Sequence, residues 1–227
     1  MEMQPGIHFI EEAGGANCYL VLHDKVNFLV DTGGRGNAKI VTDYIISHGK
    51  KPEDIQYIIL THSDPDHSGS VVELKKATGA QLGMHPADAA IMSGEVRRKV
   101  SGMLRPLFAL MSRMNLYPKI RPNKLLLDGA KIGDFEIVHC AGHTSGSIAI
   151  YLPGEAIFVG DALKSDSEGK PRLPSKALAE NYAEALEAAK RISNLEFDVM
   201  LPGHGTPVVG QASAKVKKLF SNQARRH

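Results

Sequence analysis

Two histidines and two aspartates fall within six consecutive positions, His62 to His67, in the segment THSDPDHSGS. Imidazole nitrogens and carboxylate oxygens are common donors to divalent metals, and both groups also move protons near neutral pH. Taken alone, such a turn is more simply a helix cap or a solvated loop. Three later segments repeat its grammar, an apolar run followed by a glycine-containing loop with His or Asp: IVHCAGHTSG, AIFVGDAL and VMLPGHG. Pooling the four gives His62, Asp64, Asp66, His67, His143, Asp161 and His204, seven nitrogen and oxygen donors without a thiolate. Two metal ions would use the whole set, each taking three donors, sharing one bridging carboxylate and keeping a position for water. A single ion would leave several donors idle.

These loops need strands that end at a common edge. NCYLVLH and NFLVDTGG, joined by His23-Asp24-Lys25, predict a hairpin that ends at Asp31. AKIVTDYIISHG places Ile40, Val41, Tyr44 and Ile45 at helical spacing before Gly49. IQYIILT is a continuous apolar run, which predicts a central strand covered on both faces and delivering His62 at its end. SGSVVELKKATG then reads as a helix closed by Gly79, and AQLGMH as a strand. This alternation argues for a layered α/β fold, in which ligands gather outside the carboxyl ends of strands.

Residues 86–124 break the rhythm. Leu104, Leu107 or Phe108, Met111 and Met114 fall at helical spacing among Arg97, Arg98, Lys99, Arg105 and Arg113, predicting a basic helical insertion. The plainer reading of the apolar stripe is core; the sharper one is a lid over the metal edge or the surface of a homodimer. Strands return in LLLDGAKI, FEIVHC, SIAIYLP and AIFVGDAL, enough for a second sheet. LAENYAEALEAAKRIS reads as a helix, FDVMLPGHG as a strand entering a glycine loop, and ASAKVKKLFSNQARRH as a terminal helix.

Composition narrows the class. A chain of 227 residues without a low-complexity linker is expected to form one domain, 1–227. A formal charge of +2 argues against nucleic acid as a partner and leaves a small-molecule substrate. Cys18 and Cys140 are the only cysteines and lie far apart, so they read as small core residues of a reduced, cytoplasmic protein. No signal-peptide pattern opens the chain, and no apolar run approaches the roughly 18 residues of a membrane span. His8, His23, His48, His85 and His227 lack the strand-end context and read as structural or surface residues, and His139 as a histidine bonded to a carbonyl.

HSDPDH, AGHTSGS, VGDAL and LPGHG, in that order and each at a strand end, resemble the metallo-β-lactamase superfamily, with its HxHxDH loop, later GH and GD loops and closing PGHG. FLVDTGG resembles the family's early Asp-bearing strand end, so the likeness covers nearly the whole chain. It implies a four-layer αββα sandwich with a dinuclear site at the sheet edges. By this resemblance His62, Asp64 and His143 would hold the first metal, Asp66, His67 and His204 the second, and Asp161 would bridge them. Asp31 would steady a ligand by hydrogen bonding. Zinc is expected ahead of iron or manganese.

Asp64 departs from the family pattern, which has histidine there. If Asp64 ligates, three carboxylates and a bridging hydroxide neutralise two dications, where histidine would leave one positive charge, and the added hard oxygen favours iron or manganese. If it is too short to reach, one metal binds tightly. The expected activity is hydrolysis of an ester, thioester, lactone or phosphoester by a hydroxide between two metals, with Asp66 orienting it or passing its proton to the leaving group. The alternative is an iron-dependent oxidoreductase of the same fold. The flavodiiron proteins carry glutamate at the position of Asp64, and the persulfide dioxygenases are mononuclear iron enzymes.

Overall fold

The structure is a computed structural model in which residues 1–98 and 117–221 are described. In the first half the chain forms β1 (Glu2–Gln4), β2 (Ile7–Ile10), β3 (Cys18–His23), β4 (Val26–Val30), α1 (Ala38–Ser47) and β5 (Tyr57–Ile59). It continues through α2 (Pro65–Ser68), α3 (Val71–Thr78), β6 (Gln81–Met84), α4 (Pro86–Met92) and β7 (Lys124–Leu125). The second half adds β8 (Lys131–Ile132), β9 (Phe135–His139), β10 (Ile148–Leu152), β11 (Ala156–Gly160), β12 (Lys164–Ser165) and β13 (Pro171–Arg172). It closes with α5 (Tyr182–Ser193), β14 (Val199–Pro202), β15 (Val208–Val209) and α6 (Ala212–Ser221).

Strands β1 to β7 form one sheet in sequence order, and a second runs β15-β14-β11-β10-β9-β8. Alternation of side chains along each strand explains the layers. In β4, Val26, Phe28 and Val30 enter the core between the sheets, while Leu29 faces the opposite way, into a cluster with Val41 and Ile45 of α1 and Leu74 of α3. In β11, Ala156 and Phe158 face the intersheet core, and Ile157 and Val159 pack with Ala188, Ala189 and Ile192 of α5. Both faces of these strands are therefore buried, which is why their sequences read as continuous apolar runs. The result is the expected αββα sandwich. At its centre the ring of Phe28 lies edge-on to that of Phe135, with centroids 4.9 Å apart. Truncating a buried phenylalanine of this kind to alanine costs about 3–5 kcal/mol.

The predicted hairpin is present, with Tyr19 opposite Val30 and His23 opposite Val26. Strands β1 and β2 precede it and were not signalled, since EMQ and IHFI are too short to show a period. Helix α4 opens the stretch expected as an insertion, 86–124, and sheet structure resumes where Lys124 of β7 pairs with Gly83 of β6. The stripe from Leu104 to Met114 lies outside the described residues. Cys18 and Cys140 are buried free thiols. No helix among the described residues is long and apolar enough to cross a membrane.

Candidate metal centre

Parallel pairing brings the four loops to one edge. β4 and β5 run side by side with Val30 opposite Ile59, so Asp31 and the Thr61–His67 loop leave the first sheet together. β11 and β14 do the same in the second sheet, with Gly160 opposite Pro202, and Asp161 and His204 follow. His143 lies in the loop between the antiparallel strands β9 and β10. The sheets are tied at this edge by main chain: Ile148 N–H donates to Thr61 O at 2.9 Å, and Asn17 N–H donates to Gly203 O at 2.8 Å.

The seven predicted donors converge, and they do so as two groups. His62, Asp64 and His143 offer donor atoms within 4.8 Å of one another, as do Asp66, His67 and His204. In the first, Asp64 Oδ2 lies 3.1 Å from His143 Nε2 and 3.7 Å from His62 Nε2. In the second, His204 Nε2 lies 3.2 Å from Asp66 Oδ2 and 3.4 Å from His67 Nε2. Asp161 stands between them, its Oδ1 being 3.5 Å from His67 Nε2 and 3.6 Å from His204 Nε2. Its Oδ2 is 3.8 Å from His143 Nε2. One carboxylate thus turns one oxygen toward each group.

The rings are held from behind. Asp31, buried and with a left-handed φ of 57°, accepts from Thr61 N–H at 2.8 Å and from the Thr61 hydroxyl at 2.7 Å. It also lies 2.7 Å from His67 Nδ1, which fixes the proton there and leaves Nε2 facing the other donors. Thr61 Oγ1, its hydrogen committed to Asp31, can accept from His62 Nδ1 at 3.0 Å, which likewise turns His62 Nε2 inward. The glycine of LPGHG has a steric reason: a Cβ on Gly203 would sit 2.5 Å from the His67 ring and 2.7 Å from Asp161 Oδ1.

The electrostatics favour a cation. Burial and the neighbouring His67 and His143 hold the His62 ring neutral, well below the usual histidine range. Burial alone would push the Asp66 carboxyl up, but the hydrogen bond from His204 and the nearby imidazoles outweigh it and bring it to about 2. Asp161 is held well below its ordinary value in the same way, by His67 and His143 against burial. His67 goes up despite burial, because Asp31 and Asp161 lie on either side of it. The field that keeps a proton on His67 would hold a metal ion at the same nitrogen. Two buried atoms, His62 Nε2 and Asp161 Oδ1, have no hydrogen-bond partner among the described residues. Buried polar atoms seldom go unpaired. Lone pairs on nitrogen and oxygen, already turned inward, suit a divalent ion.

Two residues at the site, Arg98 and Asp88, carried no distinguishing signal in the sequence. Arg98 donates through Nε to Asp64 Oδ1 at 2.8 Å and through Nη2 to Asp64 Oδ2 at 3.2 Å. Asp88 accepts from Ser63 N–H at 2.6 Å and Gly146 N–H at 2.9 Å, joining the two loops that supply the first group, and burial pushes its carboxyl up to about 6. Lys164 places Nζ 3.2 Å from Asp161 Oδ2. Lys164, Lys170 and Arg172 follow Asp161 closely in sequence, as cations that could meet a substrate carboxylate or phosphate, but Lys170 and Arg172 pair with Glu168 and Asp166. His139 stands outside both groups, 3.0 Å from the carbonyl of Ser145 and stacked on His85.

Residues 12–204 match the metallo-beta-lactamase superfamily. The chain is 27% identical over 192 residues to the probable metallo-hydrolase MJ0888 of Methanocaldococcus jannaschii, covering 84% of this chain and 87% of that protein. It is 29% identical over 154 residues to a hydroxyacylglutathione hydrolase of Shewanella baltica (strain OS185), covering 68% of this chain and 50% of the relative. In fold it resembles LRA-12, a class B3 di-zinc metallo-beta-lactamase from an Alaskan soil metagenome, with a TM-score of 0.72 at 19% identity over 99% of this chain and 91% of that one.

Proposed function

The chain belongs to the metallo-β-lactamase superfamily, and from that membership we propose a metal-dependent hydrolase acting on a small ester, thioester, lactone or phosphoester. The observation that carries the reading is Asp161, whose two oxygens face different donor groups. In this reading His62, Asp64 and His143 would hold one cation and Asp66, His67 and His204 a second, with Asp161 available to both. Zinc comes first among candidate metals because imidazoles dominate the set. Bound divalent metal supplies Lewis acidity that lowers the pKa of water from about 16 toward 7.

The remaining work falls to the chain. Asp31 and Thr61 fix the tautomers of His67 and His62. Asp66, anionic at neutral pH and half-exposed, can orient the attacking water, accept its proton and hand that proton to the leaving group. The nearly balanced charge supports a small-molecule substrate, and the two buried free cysteines support a reducing, cytoplasmic setting. The chain works in this reading as one catalytic domain, with residues 86–124 as an excursion from it.

The test is metal analysis of protein purified without added metal, combined with a panel of thioesters, lactones and phosphodiesters. Thioesters lead the panel because of the S. baltica relative. We expect retained zinc and turnover of at least one class, both lost in His67→Ala and His204→Ala. Variants that keep metal and hydrolysis would overturn the reading. Oxygen consumption by iron-loaded protein that hydrolyses nothing would replace it with the oxidoreductase.

A further inference from the structure

We propose that Arg98 makes the His62/Asp64/His143 group the weaker of the two metal subsites and so sets the order in which they fill. The inference rests on the metal-hydrolase reading above and concerns residues to which that reading gives no role.

The two groups differ in what lies behind them. Arg98 forks onto Asp64, with Nε at 2.8 Å from Oδ1 and Nη2 at 3.2 Å from Oδ2. Its side chain is fully buried, and Asp64 is almost so. Oδ2 is also the oxygen that faces His143 and His62, so the guanidinium shares the atom a cation would use. Lys164 adds a second positive charge on the same side, at Asp161 Oδ2. On the other side, Asp66 Oδ2 and Asp161 Oδ1 are paired with histidines only, among the described residues. Behind His67 stands an anion, Asp31. One subsite is backed by cations and the other by a carboxylate.

Arg98 is not free to swing away. Glu180 Oε1 lies 3.0 Å from its Nη1, and Nη2 also donates to Leu178 O at 3.3 Å. The other oxygen of Glu180 accepts from Ser145 N–H at 2.7 Å, anchoring the clamp to the loop that carries His143. Charges buried this deeply are poorly screened, so a fixed guanidinium beside Asp64 repels an incoming dication. It also engages lone pairs that would otherwise coordinate. Holding Asp64 in place would act in the opposite direction, and the sign of the Arg98 effect separates the two.

The experiment titrates metal-free protein with Zn²⁺ against a chromophoric chelator, and repeats the titration in a His204→Ala background, where only the first group is complete. Wild type should show one tight and one weaker site. Arg98→Gln should tighten the weaker site by about tenfold or more, from loss of one adjacent charge. Arg98→Lys, which keeps the charge without the fork, should stay within a few-fold of wild type. Glu180→Gln, which strips the guanidinium of its partial neutralisation, should weaken the site further. Weaker or unchanged binding in Arg98→Gln, or equal effects of glutamine and lysine, would overturn the inference. Should Arg98→Gln fail to fold, an unchanged affinity in Glu180→Gln overturns it. Wild type that takes up no Zn²⁺ refutes the metal reading itself, while two equally tight sites refute only the role of Arg98.

Discussion

Asp31→Asn isolates what the carboxylate behind His67 contributes. Asp31 has a φ of 57°, where asparagine is among the few residues as comfortable as aspartate, so the backbone is undisturbed. The carboxylate receives three donors, Thr61 N–H, the Thr61 hydroxyl and His67 Nδ1, at 2.7–2.8 Å. An amide offers one oxygen, so its NH₂ must face at least one of these donors. A buried hydrogen bond lost in this way costs about 1–3 kcal/mol of stability. The larger effect falls on metal. Removing the partner that orients and polarises a ligating imidazole weakens binding about 10- to 100-fold.

The pH dependence provides a second signature. In the metal-free protein His67 is held well above its usual range, with Asp31 and Asp161 offsetting the effect of burial. A raised folded-state pKa gives stability that is fully present below the unfolded value, about 6.5, and is lost as pH rises through the folded value. The stability gap between wild type and Asp31→Asn should therefore be widest in mildly acidic solution and narrow toward alkaline pH. Chelator competition measures the affinity, and urea unfolding in excess chelator, repeated across pH, measures the gap. A variant with Zn²⁺ affinity within twofold of wild type would refute the claim that Asp31 acts through His67.

Asp64→His adds one positive charge to the first group and should shift metal preference toward zinc in competition with iron and manganese; unchanged selectivity and occupancy would mean that Asp64 is not a ligand. Gly203→Ala puts a methyl group 2.5 Å from the His67 ring, so metal content measured by mass spectrometry should fall even if the variant folds. Asp88 has its carboxyl pushed by burial from 3.8 up to about 6. The folded state then binds the proton more tightly than the unfolded chain, so its contribution to stability falls as pH rises between those values, by about 3 kcal/mol in all. In urea unfolding of metal-free protein, Asp88→Asn should remove that fall relative to wild type, and an identical pH slope in the two proteins would contradict it.

The seven donors were legible because each sits where an apolar strand gives way to glycine, and strand ends are what the fold brings together. The layers were legible for a related reason: Ile58, Ile59 and Leu60 are apolar in succession because both faces of that strand are covered. Asp31 stood out only as a strand end followed by glycines, and its turn toward His67 depends on a left-handed backbone that sequence does not reveal. Arg98 was invisible for the opposite reason. It lies in the basic run Arg97-Arg98-Lys99, which has the composition of a solvated face, while its partners Asp64 and Glu180 are distant in sequence. Asp88 was hidden just as well, since an aspartate two residues after Pro86 looks like a charge placed to favour a helix start. Long-range pairing of single charges leaves no period and no motif.

Each donor group draws members from both sheets. His143 meets Asp64 across 79 residues of chain, and His204 meets His67 across 137. A cation in either group would be a cross-link as well as a reagent, closing a long loop in the manner of a disulfide that can be withdrawn by a chelator. Chain entropy rises only slowly with loop length, so both closures should restrict the unfolded ensemble to a similar degree. Ligand binding to the folded state alone adds stability in proportion to the logarithm of free metal over its dissociation constant. The edge where the sheets meet would then be the part of the molecule whose opening depends most on metal, and amide exchange at Asn17 and Ile148, the two N–H donors that cross between the sheets, would report the clasp being fastened and released.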